Sequence, residues 1–150
     1  MRLLIVVTVL CLSFILGCAR KNNASETDQD KLENIVLNAV LGDHTEKGDA
    51  ITIREVKLTG NVLVLSVTYS GGCDKHVFSL VGSTNISKSL PPRRAISLIH
   101  KAQGDQCKKA VMEDVRFDIS ELAYKKEDGS KIWLDLDGWK EGIDYTYTSK

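Results

Sequence analysis

Two cysteines and two histidines in the middle of the chain are the residues whose types and spacing suit metal or redox chemistry. Cys73 precedes His76 by three residues, and His100 precedes Cys107 by seven. Two thiolate sulfurs and two imidazole nitrogens form a ligand set that zinc or copper(I) uses. The same thiols can instead oxidise to a disulfide, which excludes metal binding by them. The sequence leaves both alternatives: a disulfide between Cys73 and Cys107, or a zinc or copper site built from Cys73, His76, His100 and Cys107.

The histidines also have a structural interpretation. His76 and His100 each stand at one end of a predicted strand. An imidazole in such a place can hydrogen-bond a backbone carbonyl or an acidic neighbour such as Asp74 or Asp105. In that case both histidines stabilise the fold and bind nothing.

Catalysis has little support in the sequence. A nucleophilic Cys73 with His76 as its base needs a free thiolate, and Cys107 is placed to oxidise that thiolate. The chain contains no G-x-S-x-G, H-E-x-x-H, Walker or G-x-G-x-x-G motif and no C-x-x-C pair. We therefore expect a protein that is not an enzyme and that uses no cofactor.

The N-terminus has the pattern of an export signal. Arg2 precedes an apolar run over residues 3–16, which is shorter than the roughly 20 residues that span a bilayer as a helix. Its end, Ile15-Leu16-Gly17-Cys18, resembles the lipobox of bacterial lipoproteins. This resemblance implies that residues 1–17 are removed and that Cys18 is acylated, with palmitate-type chains, as the new N-terminus. It further implies a membrane-anchored protein of the cell envelope, held in a diderm host at the outer membrane and facing the periplasm, because Ala19 follows the anchor.

Export bears on the choice between disulfide and metal. An exported protein meets an oxidising compartment, and Cys73 and Cys107 are the cysteines that remain once Cys18 is acylated and the signal is removed. A bridge between them closes a loop of about 35 residues and stabilises the fold by roughly 3.5–4 kcal/mol in the chain-entropy estimate. These considerations favour the disulfide.

The elements that position these residues follow from hydrophobic periodicity. Residues 18–30 are the lipidated cysteine and a polar segment that predicts a flexible tether, and residues 31–150 are long enough for a single β-rich domain. Helical spacing predicts one short N-terminal helix that contains Leu32, Ile35, Val36, Ala39 and Val40. Further on, Val-, Ile-, Thr- and Tyr-rich segments predict strands at 51–58, 62–69, 76–81, 95–100, 111–119 and 132–136, with a short edge strand near residue 145. Six to seven strands without a βαβ rhythm predict a mainly β fold, an antiparallel β-sandwich or barrel.

Aromatic residues near the C-terminus provide the candidate ligand surface. Trp133 alternates out of phase with the apolar residues of its strand, so it shares the opposite face with acidic side chains. Together with Trp139, Tyr145 and Tyr147 it predicts an aromatic surface for an envelope protein or a glycan. The alternative is that these rings form a second buried face.

Charge excludes one class of partner. The chain has 20 basic and 20 acidic residues, whereas a nucleic-acid-binding protein needs a basic stripe. The run G-G-C-x2-H-x-F at residues 71–78, the D-x-C at 105–107 and the segment F-D-I-S at 117–120 resemble features of small, uncharacterised envelope lipoproteins, a resemblance that implies no activity. We predict a lipid-anchored, disulfide-bonded β-domain that acts as a binding or scaffolding module, with zinc or copper binding as the alternative.

Overall fold

The computed structural model describes residues 35–149, which form nine strands and one short 3-10 turn. The turn covers Ser120–Leu122. The strands are β1 (Val36–Asn38), β2 (Val40–Gly42), β3 (Ile51–Thr59), β4 (Val62–Gly71), β5 (Val77–Ser83), β6 (Arg93–Lys101), β7 (Lys109–Asp118), β8 (Lys131–Leu136) and β9 (Ile143–Thr146).

The strands form two sheets that pack face to face as a sandwich. The first sheet has four strands in the order β1-β7-β4-β3, and the second has five in the order β2-β5-β6-β8-β9. Most neighbours are antiparallel, but β1–β7, β2–β5 and β6–β8 are parallel. The connection from β7 to β8 passes from the first sheet to the second. These two consecutive strands therefore do not form a hairpin.

The core lies between the sheets, where alternate residues of each strand meet. On β4, Leu63, Leu65 and Val67 are at most 1% exposed, while the residues between them face outward. Their counterparts across the core include Leu80 and Ile96 in the second sheet. This period of two is what a strand with one buried face requires. β4 pairs along its whole length with β7 on one side, and from Val62 to Tyr69 with β3 on the other.

The predicted N-terminal helix is wrong within the described residues. Residues 36–42 are instead two short strands separated by Ala39, and this segment leaves β7 in the first sheet to join β5 in the second. Ala39 is 1% exposed at the crossing, whereas Val36 and Val40 remain about half exposed at 45% and 49%. The helical spacing was coincidental: only the small residue is buried, and the β-branched residues around it favour a strand. Leu32 of that prediction lies outside the described residues.

The mainly β sandwich is confirmed, with two corrections. The sheets contain nine strands where six to seven were predicted, because the predicted helix is replaced by β1 and β2. The sheets are mixed because β8 lies parallel to β6 and the N-terminal strands lie parallel to β7 and β5. In the described part of the chain no helix has the length and apolar character needed to cross a membrane.

Candidate functional site

One end of the sandwich carries the cysteines and histidines. Cys73, just after β4, and Cys107, just before β7, form a disulfide with a Cα–Cα distance of 5.9 Å. The sequence prediction of this bond is confirmed. The bridge joins the start of the β4–β5 connection to the start of β7 across 34 positions of sequence.

Asp105 is the hydrogen-bond acceptor that organises the turns around the disulfide. Its Oδ2 accepts the backbone N–H groups of Cys73 (3.0 Å) and Asp74 (3.2 Å), and its Oδ1 accepts that of Cys107 (2.8 Å). The bonds from Cys73 and Cys107, with further help from Asp74 and His76, hold the pKa of the Asp105 carboxyl well below its usual range. The carboxylate therefore links the turn that contains Cys73 and Asp74 to the turn that contains Cys107.

A pair of buried histidines continues from this carboxylate. His76 Nε2 lies 3.1 Å from Asp105 Oδ2, and His76 Nδ1 lies 2.6 Å from His100 Nε2. Because the carboxylate only accepts, His76 Nε2 carries the proton of the first bond, and the two imidazoles share one proton in the second. Tyr69 and Phe78 pack their rings against this pair. The chain Asp105–His76–His100 is thus a hydrogen-bonded structural network, in line with the expected role of an acidic neighbour.

The four-residue metal set is not assembled around one point. Among the described residues, the donors with metal-ligand spacing are Cys73, Asp105 and Cys107, and the histidines are not part of that group. Both sulfurs are already bonded to each other, and the Asp105 oxygens accept backbone N–H groups. Nothing in this geometry favours zinc or copper over the disulfide.

A separate groove lies on the outer face of the second sheet and contains both tryptophans. It has a volume of about 600 Å³, and its lining includes Trp133 from β8 and Trp139 from the turn after it. Trp133 is half-buried because its indole edge lies over Gly142, where any Cβ would collide with the ring. The Trp133 Nε1 atom is buried without a hydrogen-bond partner in the described part of the chain. The groove is therefore built around a tryptophan held in place by its neighbours.

Arg93 fixes the other side of Trp133. Its guanidinium lies 5.7 Å from the centre of the indole ring, within cation–π range. It also donates two hydrogen bonds to Asp135, one of them from Nε at 3.0 Å, and this pairing raises the pKa of Arg93. A second, longer pair joins Lys47 to Asp137 at 3.5 Å across the groove. The charged side chains of the groove are thus largely paired with one another.

The predicted aromatic surface is only half present. Trp133 and Trp139 line the groove, but Tyr145 is fully buried and donates its hydroxyl hydrogen bond to Asn61. Tyr147 packs against the edge of the core and lies outside the groove. Both tyrosines belong to the alternative interpretation, in which the rings support the fold.

One exposed apolar residue beside the groove was not among the residues predicted from the sequence. Leu90, in the loop between β5 and β6, is 100% exposed. It lines a cavity of about 250 Å³ together with Arg93 and Trp133, and on its other side a cavity of about 630 Å³ together with Tyr124. Its signal in the sequence is a single leucine among serines and prolines, a pattern with no hydrophobic period.

Comparison with known proteins places this architecture in a family. The family model described as "NigD-like C-terminal beta sandwich domain" matches residues 35–149. No curated protein matches the chain.

Three solved structures from Bacteroides and Parabacteroides species are similar to this chain. A NigD-like immunity protein from Bacteroides caccae is similar with a TM-score of 0.52 and 18% identity, over 73% of this chain and 58% of that one. A protein of unknown function from Bacteroides vulgatus gives 0.46 and 16%, covering 77% and 58%. A putative toxin-related protein from Parabacteroides distasonis gives 0.40 and 16%, covering 73% and 61%. This chain thus spans about three-fifths of the length of these solved proteins. Since the family model matches all of the described residues, 35–149, the chain belongs to the NigD-like C-terminal beta sandwich domain family.

Proposed function

We propose that this protein is a lipid-anchored binding module of the cell envelope, and that its ligand site is the groove containing Trp133 and Trp139. The observation that carries the proposal is this groove of about 600 Å³, built from two tryptophans and paired charges on the outer face of the second sheet. The module binds its ligand without transforming it.

The groove suits part of a macromolecule better than a small metabolite. Its rim residues Asp137, Lys140 and Glu141 are exposed, so a ligand in the groove remains in contact with solvent. Enclosed, mostly apolar sites are typical for small molecules, whereas tryptophan and arginine are enriched at the centres of protein interfaces. Paired charges such as Arg93 with Asp135 fix the shape of the site before the ligand arrives.

The relatives are compatible with a binding role. The Bacteroides caccae protein is described as an immunity protein. From that description we take one proposal only, that the ligand of this chain is another macromolecule. The anchor is supported by the sequence Ile15-Leu16-Gly17-Cys18, which lies outside the described residues.

The test uses the full chain in the organism that makes it. A photo-crosslinking amino acid at position 139 captures the ligand, which is then purified and titrated against the wild-type protein and Trp139→Ala. We expect Trp139→Ala to lower affinity by about tenfold or more. Met112→Ala is the control, because Met112 is 78% exposed on the first sheet, away from the groove.

Thermal unfolding of each variant accompanies the titration, since Trp139 also contacts the core. Trp139→Phe, which keeps an aromatic ring, should retain more affinity than Trp139→Ala at equal thermal stability. Equal affinity of wild type and Trp139→Ala for every captured ligand would remove the groove as the binding site.

A further inference from the structure

We propose that the loop of residues 84–92, called here the Leu90 loop, is a protein-docking element whose Leu90 side chain enters an apolar pocket bordered by acidic residues on a partner protein. The proposal rests on the proposed binding function, and it names the class of partner. Leu90 is 100% exposed, more than any other large apolar residue in the described part of the chain. Exposure alone carries little weight, because single apolar residues are common on protein surfaces.

The loop holds Leu90 in a fixed position. Ser87 donates its backbone N–H to the Arg93 carbonyl at 2.9 Å, and the Arg93 N–H returns a bond to Ser87 Oγ at 3.2 Å. Ser89 Oγ lies 2.8 Å from Ser87 Oγ and donates to the Pro91 carbonyl at 2.8 Å. These bonds close the loop on both sides of Leu90. A side chain presented on an ordered backbone loses less conformational entropy on binding, and so contributes more to affinity.

The two ends of the loop are attached to the body of the domain. Ile86 packs against the core, and the Pro92 carbonyl accepts the N–H of Trp133 at 2.8 Å. The loop therefore stands directly beside the tryptophan groove. Leu90 and Trp133 line the same cavity of about 250 Å³, so a single partner can contact both.

The surroundings of Leu90 resemble the centre of a protein interface. Tyr124, 47% exposed, lines the larger cavity on the other side together with Leu90 and Pro91. Leucine, proline and tyrosine thus form an apolar patch with a charged border, the arrangement of an interface with an apolar centre and a polar rim. A glycan or nucleic acid offers no apolar pocket for an aliphatic side chain, whereas a protein does.

The charge around the patch specifies the rim of the partner. Lys88, Lys125 and Lys131 take part in none of the ion pairs formed by the described residues. Asp128 remains an anion while it accepts the backbone N–H and hydroxyl of Ser149, so Glu127 and Asp128 balance Lys125 and Lys131. Lys88, the charged residue of the Leu90 loop, adds one positive charge that is not balanced. The border is therefore net basic, and a complementary partner presents aspartate or glutamate around its pocket.

The experiment places a photo-crosslinking amino acid at position 90 of the full chain in its own cells, with position 112 as the matched exposed control. The protein captured at position 90 is identified by mass spectrometry and purified. Its affinity is then measured for the wild type, Leu90→Ala, Leu90→Asp and Met112→Ala at low and at high salt. Because Leu90 has no buried surface, its variants should unfold at the wild-type temperature.

The proposal predicts one protein adduct at position 90 that is absent at position 112. It predicts about a tenfold or larger loss of affinity for Leu90→Ala, a larger loss for Leu90→Asp next to an acidic rim, no change for Met112→Ala, and weaker binding at high salt. An adduct with a glycan, with lipid or with a second copy of the chain overturns it, as does full affinity of Leu90→Ala.

The Trp139 variant separates this proposal from the proposed function. If the captured protein binds Leu90→Ala normally but Trp139→Ala weakly, the groove remains the site and the Leu90 proposal fails. If only Leu90→Ala loses affinity, the Leu90 loop remains and the groove fails as the site. Normal binding of both Leu90→Ala and Trp139→Ala would contradict both the groove proposal and the Leu90 proposal.

Discussion

At the scale of single residues, Asp105 connects the chemistry of the cysteines with that of the histidines. One carboxylate accepts three backbone N–H groups and the imidazole of His76. The sequence identified Asp105 as an acidic hydrogen-bond partner for a structural His76 or His100, but it could not show that the histidines contact each other. That contact depends on the register of β5 with β6, in which Phe78 lies opposite His100 and His76 immediately precedes the strand.

The first prediction concerns the pH dependence that Asp105 gives to stability. Its folded-state pKa is lowered, chiefly by hydrogen bonds from Cys73 and Cys107, so its stabilising effect is complete above the unfolded-state pKa of about 3.9. That effect is lost as the pH falls toward the folded-state value. We expect Asp105→Asn to lower the thermal midpoint clearly at pH 6, and the difference from wild type to shrink as the pH falls below about 4.

Thermal unfolding followed by circular dichroism between pH 3 and pH 7 checks this prediction. Asp74→Asn is the control, because Asp74 contributes its backbone N–H rather than its carboxylate to the cluster. A difference between wild type and Asp105→Asn that stays constant down to pH 3 would contradict the role of the ionised carboxylate.

At the scale of elements, the disulfide connects the segment after β4 with β7, two strands that already pair over ten residue positions. The second prediction is that Cys73→Ala with Cys107→Ala lowers the free energy of unfolding by about 3.5–4 kcal/mol in the chain-entropy estimate for a loop of this length. The sheet itself should survive, because the ladder between β4 and β7 does not depend on the bridge.

Urea unfolding with and without reductant measures this effect. Reductant should destabilise the wild type to about the level of the double variant and leave the double variant unchanged. A loss below about 1 kcal/mol would show that the β4–β7 pairing alone orders this end of the sandwich.

The elements also show what could be predicted from the sequence and what could not. The strands from β3 to β9 were predictable because β-branched and aromatic residues recur there with period two and turn residues separate them, as Thr59-Gly60-Asn61 separates β3 from β4. Residues 36–42 were mispredicted because a segment that crosses between two sheets buries one residue, Ala39, and has no period of its own. The groove was half predicted: alternation placed Trp133 outward, but only the fold shows that Tyr145 turns inward to Asn61.

At the scale of the whole molecule, the first strand of the described chain and the proposed binding surface belong to different sheets. The described chain begins beside β1, an edge strand of the first sheet, whereas the groove is formed on the second sheet by β6, β8, the turn before β9 and residues 44–47 after β2. Every described residue that lines the groove follows β2 in the sequence, so we expect attachment at Cys18 to leave the groove and Leu90 accessible to a partner.

The last prediction follows from this separation of anchor and site. Cys18→Ser removes the residue that carries the acyl chains, and those chains are what makes the membrane attachment stable. We therefore expect the protein to move from the membrane fraction to the soluble fraction. We also expect it to lose incorporation of a palmitate analogue. Its affinity for the partner captured at position 90 or 139 should stay within about twofold of the wild type, since the described lining of the groove begins at His44, well after Cys18 in the sequence. Cys11→Ser is the matched control, because Cys11 lies inside the predicted signal and should leave both fractionation and labelling unchanged. A Cys18→Ser protein that remains in the membrane fraction would show that something other than acylation of Cys18 holds it there, whereas a loss of affinity on release would show that the membrane itself forms part of the binding site.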